Sequence, residues 1–156
     1  MLGPVMSFAA SDARRELLEE VALAVGELAR AIAAIGEAYD ALDEHMADRL
    51  EEELFRPLQG AYAAATRAHA GFASRHGLPA QRFEPADRPA PQPVRALVER
   101  AADDAAHADQ ILADLQDSMM PVEVGDAELR AGLADVRRRL GDVPARAEGV
   151  IRVLGR

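Results

Sequence analysis

Residues 126–154 read DAELRAGLADVRRRLGDVPARAEGVIRVL, and the apolar positions Leu129, Leu133, Val136, Leu140, Val143, Ala147, Val150 and Leu154 recur alternately every four and three residues. That rhythm puts them on one seam of an α-helix, and a helix with such a seam must bury it against a partner. Three further seams lie upstream. The first runs through Leu18, Val21, Val25, Leu28, Ile32, Ile35, Tyr39, Leu42 and Met46. The second holds Leu50, Leu54, Leu58, Ala61, Ala65, Ala68 and Phe72, and the third Val94, Val98, Ala101, Ala105, Ala108, Leu112, Leu115 and Met119. Four amphipathic helices in one chain predict an all-α, mostly antiparallel four-helix bundle with coiled-coil-like heptad seams. The expected core is made of Leu, Val, Ile and Ala.

Boundaries come from caps and breakers. Ser11, with Asp12 and Glu16 behind it, reads as an N-terminal cap and places the first helix at about 11–37. Beside its seam lie Ala22, Ala29 and Gly36 on one side and Leu17, Ala24, Ala31 and Ala38 on the other, flanks that would let a neighbouring helix approach closely. A turn is expected between Gly36 and Asp48; a single helix running on toward Pro57 is the alternative, because the apolar phase shifts only near Leu50 and Leu54. The second helix, 41–76, stops at His76-Gly77-Leu78-Pro79. Pro57 inside it either kinks the helix or opens a new segment. The third helix spans 93–120 and the fourth 126–154, capped by Asp126 and bent at Pro144.

Between Leu78 and Pro93 the chain reads LPAQRFEPADRPAPQP, with five prolines and no apolar period. This is the long proline-rich connection between helices 2 and 3. In polyproline form it covers about 3.1 Å per residue, enough to reach along a bundle helix, so a slack hairpin loop and a crossover are both open.

At 156 residues the chain suits one domain. It has no cysteine, which excludes thiolate chemistry and disulfides and fits a reducing compartment. The opening MLGPVMSFAASDARRE lacks the basic and apolar regions of a secretory signal. Val21–Gly36 is shorter than the roughly 20 residues of a membrane span and carries Glu27 and Arg30. These features lead us to expect a cytoplasmic chain without membrane association. A formal net charge of −9 disfavours nucleic acid. All basic residues are arginine, so lysine nucleophiles are excluded, and Arg137-Arg138-Arg139 reads as a solvated helix face.

A bundle with acids and histidines invites comparison with ferritin-like di-iron proteins, which project glutamates and Glu-x-x-His pairs inward. Here the first, third and fourth seams are apolar throughout, and the nearest match, Asp104-x-x-His107, reads as a solvated helical turn. No metal and no cofactor are therefore expected. Arg100 and His107 share the Arg-then-His spacing of HEPN ribonucleases, which are also helical bundles. Ala101 stands where those enzymes carry a polar residue.

One constellation stands apart. Phe55, Tyr62, His69 and His76 recur every seven residues beside the second seam, and a straight helix drifts only about 20° per heptad, so they form a stripe. The stripe reads as a core border of residues with apolar bodies and polar tips, or as a binding surface. The leading functional expectation is a non-enzymatic interaction or scaffold protein that associates with itself, as a homodimer, or with a protein partner. The alternative is a small-molecule- or metal-binding bundle or enzyme, ferritin-like or HEPN-like, with a pocket near Tyr62 and His69.

Overall fold

The computed structural model describes residues 3–155, and side chains from residue 9 onward. The first two residues of the opening read as free of a signal lie outside the described residues. The described residues form an all-α fold without strands. In chain order the helices are α1 (Gly3–Asp40), α2 (Glu44–Leu50), a π turn (Glu51–Phe55), α3 (Arg56–Arg75), α4 (Val94–Asp117), α5 (Met120–Glu123), α6 (Ala127–Leu140) and α7 (Val143–Leu154).

α1 starts well before Ser11, which sits inside the helix and caps nothing. The chain turns at Ala41–Asp43, where Asp43 accepts from the Met46 amide and caps α2. From Glu44 to Arg75 the helix is continuous except that the Arg56 amide reaches back five residues to the Glu51 carbonyl. A proline at 57 lacks a donor and crowds the carbonyl four residues back; the widened turn just before it gives the ring room. α3 ends in a Schellman motif: Leu78 N–H donates to Ala73 O at 2.9 Å and Gly77, at φ 64°, donates to Ser74 O.

The third helix stops earlier than its apolar pattern suggests. α4 ends at Asp117, Met119 takes a left-handed φ of 67°, and Pro121 opens the short α5. The fourth is divided rather than bent, because Pro144 cannot donate to Leu140 and instead occupies the first turn of α7. Asp126 does cap α6, accepting from Leu129 N at 2.8 Å.

The core is the union of the seams. Val21, Leu28, Ile35, Leu50, Leu58 and Phe72 are fully buried, as are Val98, Leu112, Leu129, Leu133, Val136 and Val150. α1 packs most extensively on α4 and to a lesser degree on α3; α3 packs along α6, and α4 also touches α7 and α6. Ala24, Ala31 and Ala38 on one flank of α1 are wholly buried. At the α3–α6 contact Gly132 lies so close that an added Cβ would sit 3.0 Å from the Ala68 methyl. No helix among the described residues is long and apolar enough to cross a membrane.

Candidate ligand cleft

The other small flank of α1 has no helix pressed into it. Ala29, Ala33 and Gly36 face Phe55, Tyr62 and Ala63 across an open space of about 700 Å³, closed on a third side by Pro85, Ala86 and Arg88. Residues this small on α1 leave the volume between the helices open. The π turn shapes the adjoining wall, with its first and last residues, Glu51 and Phe55, both lining the cleft; π turns recur at functional sites. Ile32, Tyr39, Asp40 and Gln59 complete the lining. The chain's two tyrosines are therefore both on this cleft.

Segment 78–93, without helix or strand, forms the cover. Leu78 and Phe83 pack on the core. The Phe83 ring meets His69 edge-on at 5.0 Å. Farther along, Arg88 Nη1 pairs with Asp40 and lies 3.8 Å from Glu37 Oε2, with the guanidinium over Gly36.

The heptad stripe is divided among three environments. Phe55 and Tyr62 line the cleft. His69 is 2% exposed, its Nδ1 has no hydrogen-bond partner, and burial holds its pKa below the ordinary value. The His76 ring lies against that of Phe72, with centroids 4.4 Å apart and planes tilted by 55°, and its Nε2 sits 3.0 Å from Asp126 Oδ2. Asp126 also receives a two-pronged hydrogen bond from Arg75 at 2.7 and 2.9 Å, which, with the Leu129 amide and His76, holds its carboxyl well below the usual carboxylate range. His69 and His76 are thus absent from the cleft wall, and Tyr39, Asp40, Glu51, Gln59 and Arg88 join it from elsewhere. The unusual flank of Ala29 and Gly36 was the sequence signal for the missing wall.

A second polar cluster joins α1 to α4. Glu27 is buried, pairs with Arg30, and lies 3.3 Å from Nδ1 of the exposed His107. Asp104, read from sequence as solvated, has Oδ2 enclosed without a partner, and burial followed by the nearby Glu27 charge pushes its pKa up. The correction is non-local: α1 covers this turn of α4. Among the described residues no group of three or more His, Asp or Glu side chains is arranged to hold a metal ion. The arginine run is only partly solvated. Arg137 reaches Asp109 and Gln116, while Arg138 and Arg139 both pair with Asp135.

No family model matches the chain, and neither does any curated protein or solved structure.

Proposed function

We propose that the chain is a four-helix bundle that binds a small, largely apolar molecule in the cleft between α1 and α3. The bundle reading is supported by residue pairs along the helices. Arg14 meets Val124 and Glu27 meets His107, so α1 and α4 run in opposite directions; Arg75 meets Asp126 and Gly60 lies beside Arg139, so α3 and α6 do as well. α6 and α7 together fill the fourth position. The 78–93 segment leaves α3 near Asp126, passes His69 and arrives beside Asp40, which supports a crossover along the α1–α3 groove rather than a hairpin loop.

The observation that carries the functional reading is the cleft itself: about 700 Å³, with aromatic and aliphatic walls and a few polar side chains at its margin. Sites for drug-sized molecules have this size and this balance of apolar wall to placed polar group. Titration with Nile red, a neutral apolar dye, tests it. Wild type should bind about one equivalent with blue-shifted emission, and Ala33→Phe or Ala63→Phe, which push a ring into the empty volume, should weaken binding about tenfold or more at unchanged helix content. Dye binding that ignores both substitutions would refute the reading.

Self-association is a second reading with a different support. The stripe offers no common exposed face, but Leu23 on α1 and Met119 and Val122 by α5 are large apolar side chains about half exposed. Light scattering decides it: a dimer mass for wild type that falls to monomer in Leu23→Glu or Val122→Glu supports association through those residues.

A further inference from the structure

Resting on the cleft reading above, we propose that the molecule bound there is an apolar organic cation, an aryl- or alkyl-amine, whose charge is met by Glu51 and whose body lies against Tyr39, Phe55 and Tyr62. The charges around the cleft are unequal. Among the described residues Arg88 is the one cationic side chain that lines it, and that guanidinium is already engaged by Asp40 and Glu37. Glu51 has no ion pair and no side-chain hydrogen bond among the described residues, although it is half-buried and lines the same space. Closing a neutral apolar ligand over this carboxylate would strip its water without replacing it, which is costly. An anion would face Glu51 directly and would have to draw Arg88 away from two carboxylates. A cation has neither penalty.

The aromatic walls favour the same sign. The faces of Tyr and Phe rings carry negative quadrupole potential and attract ammonium groups within about 6 Å of the centroid. Gln59 adds a side-chain carbonyl able to accept from an ammonium N–H. Beyond the cleft, the formal net charge of −9 raises the local concentration of cations and lowers that of anions. Glu51 and Phe55, four residues apart at the two ends of the π turn, line one wall together.

The chain contains two tyrosines and no tryptophan, so its intrinsic emission reports on this cleft alone. Three probes of nearly equal shape, 4-phenylbutylammonium, 4-phenylbutanol and 4-phenylbutyrate, are titrated at low ionic strength, with tyrosine emission and calorimetry read in parallel. The ammonium should bind about tenfold tighter than the alcohol, with the carboxylate weakest, and added salt should narrow the gap. In Glu51→Gln the preference for the ammonium over the alcohol should shrink several-fold, the ammonium losing affinity and the alcohol gaining some. Equal affinity for ammonium and alcohol, or tightest binding of the carboxylate, overturns the cation assignment and leaves the cleft standing. If none of the three alters tyrosine emission or releases heat, and Nile red is also insensitive to Ala63→Phe, the cleft reading falls as well. The wild-type series decides the ligand's charge without any variant, so the outcome does not depend on how Glu51→Gln folds.

Discussion

Asp104 Oδ2 and His69 Nδ1 are polar atoms that the fold buries without a hydrogen-bond partner among the described residues, and each group makes stability depend on its protonation. Asp104 has a raised pKa, from burial first and from Glu27 second. A group that is a stronger proton binder folded than unfolded adds stability at low pH and loses it as pH rises through the folded pKa, so at neutral pH the charged carboxylate is a liability. Asp104→Asn should therefore raise the melting temperature at pH 7 by on the order of a degree or two; a lower melting temperature would show that Arg100 and Arg30 compensate the charge fully. For His69 the shift is downward, through burial. The unfolded chain takes up the proton first as pH falls below about 6.5, so His69 subtracts stability progressively below that value. His69→Phe removes the titration, and its advantage over wild type should be larger at pH 5.5 than at pH 7.5. An equal gap at both pH values would mean that the ring is hydrated. Gly77 belongs to the same scale: at φ 64° in the Schellman turn, Gly77→Ala should cost about 1 kcal/mol in denaturant unfolding.

At the scale of elements, what can be read from sequence is what is local. The seams give the helices because a 3.6-residue period depends only on neighbours, and the positions quoted from 129 to 150 are buried as that period requires. Even the π turn left a trace. Met46, Leu50, Leu54, Leu58 and Ala61 are spaced four, four, four and three, one residue more than an alternating seam, and the wide turn at Glu51–Phe55 absorbs that extra residue. The cleft was legible only in part, because Phe55 and Tyr62 share a helix whereas Tyr39 and Arg88 reach the space from other elements. Asp104 was misread for the same reason: its neighbour Glu27 lies on a different helix. The extra residue can be tested directly. Deleting Glu52 restores the four-and-three rhythm and should leave the melting temperature equal or higher, since a regular ladder replaces a wide turn. Nile red affinity should nevertheless drop about tenfold, because removing the extra residue reshapes the wall that Glu51 and Phe55 line. Retained affinity would show that the π turn is a by-product of Pro57 and has no part in the site.

For the whole molecule, the decisive feature is a connection that behaves as part of the packing. Segment 78–93 has no internal secondary structure, and a chain of that kind is normally the first place a protease enters. Here Leu78 and Phe83 are packed on the core, Phe83 abuts His69, and Arg88 is tied to Asp40. Cleavage must therefore wait for a local detachment, whose frequency is set by those few contacts. Trypsin can report on this after Arg82 but not after Arg88, where the next residue is Pro89. Phe83→Ala removes the main apolar anchor next to the scissile bond. Cutting after Arg82 should accelerate by about tenfold, with global stability lowered by only about 1–2 kcal/mol, since Phe83 is half-buried and the helical core is untouched. A ligand in the cleft should act oppositely, because Pro85, Ala86 and Arg88 form one of its walls and detachment would expose the bound molecule. Rapid cutting after Arg82 in wild type, unaffected by Phe83→Ala, would show that the segment is not held on the helices, and the cleft would then lack its cover.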